Sequence, residues 1–180
     1  MPLKLSILDQ SAAASGRGQD LTIRQTLALA EQARDADGPL AMAHRLSELV
    51  SGAIAYVPGA THAKTTAAEA LAKGEGVCQD HAQALVACAR HLDMPARYVS
   101  GYLFATEGDM AEAAHAWAEI FIAGLGWVGF DAANECCPDD RYIRLGSGFD
   151  AVDAAPIRGT ARGTGEESLD VAVAVRQVQQ

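Results

Sequence analysis

Three side chains of this 180-residue sequence are of the types that together carry out nucleophilic acyl chemistry. Cys78 sits in Gly76-Val77-Cys78-Gln79-Asp80, His115 follows 37 residues later in His115-Ala116-Trp117, and Asp131 comes 16 residues after that. A cysteine reacts as its thiolate, and a thiolate is favoured where a helix begins, because unpaired first-turn N–H groups and the positive end of the dipole attract negative charge. Cys78 has that setting: Gly74-Glu75-Gly76 allows a sharp turn before it, and Ala82, Leu85, Val86, Ala89 and Leu92 recur after it at helical spacing. In this chemistry His115 takes the thiol proton, Asp131 accepts the other ring N–H and fixes which nitrogen faces sulfur, and Cys78 attacks a carbonyl. The oxyanion so formed needs donors. The Cys78 backbone N–H is one candidate and the Tyr56 phenol a second, set against the reading of Tyr56 as a buried tyrosine that satisfies its own hydroxyl.

Strand alternation must bring the histidine to the carboxylate. Across Ala114 to Phe121 it puts His115, Trp117 and Glu119 on one face and the alanines on the other. A hairpin loop of Ile122-Ala123-Gly124 pairs Phe121 with Leu125 and sets His115 opposite Asp131. A loop of Gly124-Leu125-Gly126 instead sets Asp131 against Glu119, roughly 13 Å along the strand from His115, and breaks the contact. The first register, or a bulged equivalent, is expected.

The flanking elements read as helices followed by strands. Residues 1–19, rich in Ser, Ala and Gly, are expected to be a tether or edge segment ahead of a core domain over 20–180. Asp20 can cap a helix to about Ala36, with Leu21, Leu27 and Ala28 among its candidate buried positions. A second helix runs from about Leu40 to Ser51 with Met42, Leu46, Leu49 and Val50 inward, followed by a short extended piece over Ile54 to Val57. Thr66-Ala67-Ala68-Glu69 is a capping box that opens a helix stopping by Gly74, and the Cys78 helix ends near Asp93 because of Pro95. Strands are expected over Arg97 to Ala105, Ala114 to Phe121, Trp127 to Phe130 and Leu169 to Val175, with a turn over Gly159 to Gly165. The fold class is α+β with a mostly antiparallel sheet, as one domain.

Composition narrows the function. A net charge of -9 argues against a nucleic-acid surface and leaves a protein or peptide substrate as the expected partner. No apolar run approaches the roughly 20 residues of a membrane span, and no secretory signal is legible at Met1-Pro2-Leu3-Lys4-Leu5, so the cytoplasm is the default location. The cysteines at 78, 88, 136 and 137 have no metal-knuckle spacing; Cys136-Cys137 reads as packing or surface thiols rather than a zinc or redox pair. No metal and no cofactor are expected, and the oligomeric state is not legible.

Four blocks in order, Gly76-Val77-Cys78-Gln79-Asp80, Pro95 to Tyr102, His115-Ala116-Trp117 and Gly126-Trp127-Val128-Gly129-Phe130-Asp131, resemble the transglutaminase-like superfamily, a branch of the papain-like cysteine fold, over about residues 40–160. The resemblance implies Cys78 as nucleophile, His115 as base and Asp131 as its partner, in the manner of bacterial transglutaminase-like cysteine peptidases. Such proteins usually carry a β-rich segment ahead of the core, which is not found here, so a shortened form is expected. No acidic loop has EF-hand spacing.

Each residue also has a bland reading. A lone free cysteine is usually a small buried hydrophobe. His81, on the Cys78 helix, reads as a packing or supporting residue, His44, His62 and His91 as surface or capping groups, and Asp80 as support for the helix start. Trp117 and Trp127 read as sheet packing. The function expected is a cysteine-dependent amide hydrolase acting through a thioester; the alternatives are a catalytically silent binding module on the same scaffold, protein-glutamine transamidation, or small-molecule acyl transfer.

Overall fold

The computed structural model describes residues 19–63, 65–104 and 114–157. Four helices precede most of the sheet: α1 Gln19–Glu31, α2 Pro39–Ala53, α3 Ala67–Lys73 and α4 Cys78–His91. Two short strands, β1 Ala55–Tyr56 and β2 Glu75–Gly76, pair in parallel between them. The strands β3 Ala96–Leu103, β4 Ala114–Ile122, β5 Gly126–Phe130 and β6 Tyr142–Gly148 form one antiparallel sheet in the order β5-β4-β3-β6. This is the expected α+β architecture. The strand and turn expected over 159–175 and the segment 1–18 lie outside the described residues.

Helix α4 is the centre of the molecule. It packs against α1, α2 and α3 on one side and β3 and β4 on the other, and Ala82, Ala84, Leu85, Val86, Ala87, Cys88 and Ala89 are all buried. A helix covered nearly all round needs short side chains where neighbours come close, and its alanines supply them. Its partners offer complementary stripes: Leu46 and Val50 from α2, and Ala116, Ala118, Ile120 and Ile122 from the inner face of β4. On α1 the buried positions are Thr26 and Ala30, with Ala33 buried in the turn that follows, whereas Ala28 is exposed and Leu27 half-buried, so the inward stripe is rotated from the expected one; the Leu21 side chain lies outside the described residues.

Local rules set the boundaries. The capping box forms, with Thr66 Oγ1 accepting from Glu69 N and Glu69 accepting from Thr66 N, and Gly74 ends α3 in the left-handed conformation at φ 72. Strand β6 was not expected from the sequence. It pairs with β3 through a bulge at Ser100/Gly101, where Leu145 is left between the pairs Ser100 with Gly146 and Gly101 with Arg144. Glycines at 146 and 148 depress strand propensity there, but a side chain at either would strike the backbone of Ala154 or Asp153.

Gly101 is required for close approach. A Cβ at this position would overlap the Ile143 carbonyl and come within 2.8 Å of the Trp117 ring. Gly101→Ala is expected to cost about 1–3 kcal/mol in urea denaturation. Gly52→Ala, in α2 with nothing within 4 Å of the added carbon, is expected to gain up to about 1 kcal/mol. Equal midpoints for the two variants would show that crowding at Gly101 is relieved freely.

Candidate active site

Cys78 is the first residue of α4, where no intrahelical carbonyl can accept its amide hydrogen. The helix start is fixed by Asp80, buried to 3% exposure, whose Oδ2 accepts from Val77 N at 2.8 Å and from Thr61 Oγ1 at 2.5 Å. Gly76 makes this possible, since a Cβ there would come within 2.8 Å of the Asp80 side chain. Its role is close approach rather than a turn. Asp80 is thus the support the sequence implied. The ring nitrogens of His81 lie 2.9 Å from the Val77 carbonyl and 2.8 Å from the Ile54 carbonyl, so both are engaged and this histidine ties the Cys78 turn to the end of α2.

His115, the second residue of β4, is buried, and its Nε2 donates to Asp131 Oδ2 at 2.6 Å. The register that achieves this is neither of the two considered. Ile122 pairs with Gly126 and Ala118 with Phe130, so the loop is Ala123-Gly124-Leu125 and the ladder, continued, sets Asp131 beside Trp117. Gly124 and Gly126 both adopt φ 86, which lets the chain reverse in that span. The expected direct pairing of His115 with Asp131 is therefore corrected to a diagonal one. Diagonal neighbours on one face stay within reach of a long side chain, and imidazole has that reach. Glu119, the outward residue of the alternative register, is bound to Arg97 and Arg144.

With Nε2 committed to Asp131, Nδ1 is the nitrogen left for sulfur. The Cys78 thiol is close enough to the ring for its charge to favour the imidazolium. It also lies 3.3 Å from Gln79 Oε1, and Cys78 as a whole is 4% exposed. Burial alone would depress the imidazolium; hydrogen bonds and charge from Asp131 and Cys78 outweigh it and push His115 up to about 9 from 6.5. For Asp131, burial opposes ionisation, but the bonds from His115, Asn134 and Tyr142 hold the carboxyl below its ordinary value.

Tyr56 is 53% exposed, which removes the buried-tyrosine reading, and its hydroxyl has no hydrogen-bond partner among the described residues. Partial burial, then the charges of Cys78 and Asp131, raise its phenol above the ordinary value, which places it in their electrostatic neighbourhood. Trp117 is buried against His115 and Tyr142, while Trp127 packs on Phe121 and under Arg97 at 4.0 Å.

Two residues were missed by the sequence reading. Asn134 Nδ2 donates to Asp131 Oδ2 at 2.7 Å, and the Tyr142 hydroxyl donates to the same oxygen at 2.8 Å. Asn134 follows Asp131 in a tight turn whose backbone Ala133 N and Asn134 N bind Oδ1 at 3.0 and 3.3 Å, closed by paired backbone bonds between Asp131 and Cys136. The Asp-x-x-Asn spacing carried a turn signal. Tyr142 could not be placed without β6. A separate cavity of about 410 Å³ lies behind this turn, lined in part by His44, Glu48, Glu135, Cys136 and Cys137. Among the described residues no group of three or more His, Cys, Asp or Glu side chains is placed to hold a metal ion, and no helix is long and apolar enough to cross a membrane.

A model of the transglutaminase-like superfamily matches residues 27–132, more than half of the chain. The chain belongs to this superfamily. It is 36% identical over 128 residues to an uncharacterized protein of Mycobacterium leprae, covering 68% of this chain and 45% of that protein. It is 39% identical over 132 residues to uncharacterized proteins of Mycobacterium bovis and Mycobacterium tuberculosis, covering 67% of this chain and 42% of theirs. The chain thus spans less than half the length of these relatives. Among solved structures, a proposed cysteine protease of Cytophaga hutchinsonii superposes with a TM-score of 0.62 at 26% identity, over 81% of this chain and 52% of that one. Calcium-bound Legionella pneumophila LapG shares the fold at a TM-score of 0.55 and 15% identity, over 82% and 86% of the respective chains.

The ion pair makes stability depend on pH. A histidine whose folded value is raised to about 9 from 6.5 stabilises the fold fully below the unfolded value and loses that contribution as pH climbs through 9. Urea denaturation between pH 6 and 10 should show the parent losing stability across that window, and His115→Gln, less stable at pH 6, losing much less. Parallel curves would sink the assignment.

Proposed function

We propose that this transglutaminase-like chain is a cysteine-dependent amide hydrolase, with Cys78 as nucleophile, His115 as base and Asp131 as its orienting partner. The observation that carries the reading is the His115 ring, bonded to the Asp131 carboxylate at 2.6 Å and within the electrostatic reach of Cys78 at the start of α4. His115 Nδ1 takes the thiol proton, and the sulfur bonds to the carbonyl carbon of a peptide or amide. The oxyanion is received by the Cys78 backbone N–H, and by the exposed Tyr56 hydroxyl, which has no hydrogen-bond partner among the described residues and lies in the field of Cys78. As the tetrahedral centre collapses, the C–N bond breaks and the departing amine takes the imidazolium proton. A water, deprotonated by His115, then opens the thioester and returns the thiol.

Transamidation differs only in the acceptor: an amine in place of water at the second step. The 4% exposure of Cys78 favours a second reading, a silent binding module that keeps the scaffold.

Iodoacetamide near pH 7 should alkylate one thiol far faster than free cysteine, and Cys78→Ala should abolish that reaction. On a peptide library, Cys78→Ala should lower turnover about a thousandfold or more. Peptide release unaltered by a primary amine supports hydrolysis, and amine incorporation moves the assignment to transamidation. A thiol no more reactive than free cysteine, with no turnover, leaves the binding module.

A further inference from the structure

Asp131 Oδ2 receives three donors: His115 Nε2 at 2.6 Å, Asn134 Nδ2 at 2.7 Å and the Tyr142 hydroxyl at 2.8 Å. A carboxylate offers about four lone-pair sites over its two oxygens, so one oxygen has two. Oδ1 is already occupied by Ala133 N and Asn134 N. The carboxylate is oversubscribed, and the His115 N–H must share its acceptor.

Tyr142 is built to be one of the competitors. It has a single hydroxyl hydrogen, and that hydrogen lies on Asp131, so its oxygen accepts from the Cys136 thiol 3.2 Å away. Burial, then the bonds to Cys136 and Asp131, raise its phenol well above the ordinary tyrosine range, so it remains a donor at neutral pH. Its ring meets His115 edge-on at a centroid distance of 5.7 Å and Trp117 at 5.4 Å, which fixes the hydroxyl in place. The ionisable groups around His115 are Cys78 from α4, Asp131 after β5 and Tyr142 from β6, with Cys136 behind Tyr142 and Tyr56 of β1 in the field of Cys78 and Asp131.

We propose that Tyr142 and Asn134 are positioning residues that draw charge from Asp131 Oδ2 and so limit how firmly it holds the His115 imidazolium. Resting on the acyl-transfer reading, this deepens it. A base that must return its proton to a leaving amine works best with a proton affinity near the operating pH, so a carboxylate that holds the imidazolium more firmly works against that second transfer. The shared oxygen leaves the carboxylate able to orient the ring while keeping the imidazolium a usable acid.

The sign of one titration separates tuning from packing. The test follows the His115 ring by ¹⁵N NMR across pH in the parent, Tyr142→Phe, Asp131→Ala and the double variant, with His115→Gln assigning the signal among the five histidines. Tyr142→Phe keeps the ring and deletes the donor. Its His115 midpoint is expected to rise by about half a pH unit, and the rise should vanish in the Asp131→Ala background. Asn134→Ala, at an exposed turn, should give the same direction and stands in if Tyr142→Phe fails to fold. A midpoint that falls or stays put, or a rise that persists without Asp131, overturns the proposal. Because the titration needs no substrate, it reads the tuning even if Cys78 proves unreactive; failure of the hydrolase reading appears only in the alkylation and peptide assays.

Discussion

The site depends on a hydrogen bond made diagonally across a hairpin, from His115 to Asp131. Each residue has its partner only because the β4–β5 loop holds three residues, with Gly124 inside it and Gly126 just after it in positive φ. Sliding β5 by two residues keeps every side chain on its face, because alternation has a period of two, yet carries the carboxylate about 7 Å along the strand. Face is therefore protected by burial, whereas position along the strand is protected by the turn alone. The diagonal geometry also leaves the space directly beside Asp131 to Trp117, whose ring lies over Gly101 and walls His115. The absent side chain at Gly101 and the orientation of the imidazole thus belong to one packing arrangement.

At the other end of the site, α4 has to present a thiol at its first residue while its body is buried on nearly every side. Asp80 reconciles the two demands. By folding back onto Val77 N it satisfies the amide before Cys78, and its bond to Thr61 ties the turn to the loop after β1. The amide of Cys78 itself is left without an intrahelical acceptor, which is the condition an oxyanion donor must meet. His81 adds a second tie through the carbonyls of Val77 and Ile54. A nucleophile on a mobile turn would spend its time out of line with the base; here two buried polar side chains hold the turn from either side.

Much of this was legible in the sequence because the signals were local. The capping box at Thr66 and Glu69, the helix starting at Cys78 and the alternation through β4 each follow from a few adjacent residues. The hairpin register was not, since three-residue loops placed at three positions one residue apart are all compatible with glycines at 124 and 126. Strand β6 escaped because its glycines at 146 and 148 read as loop, although they are needed where 150–154 crosses the strand closely. Tyr142 was lost with it, and its relation to Asp131 exists only in the folded sheet.

The family match ends at residue 132, one position beyond Asp131. The matched region therefore contains Cys78, His115 and Asp131 but not Asn134 or Tyr142, which complete the surroundings of the Asp131 carboxylate. The matched span holds the three groups; how strongly they hold a proton depends also on residues beyond it. That strength is set by the number of donors on one oxygen, and three donors within 2.8 Å are more than its two lone pairs can serve fully. Residues outside the shared core can in this way give members with the same three groups different proton affinities at the same histidine, and so different balances between thiolate formation and leaving-group protonation.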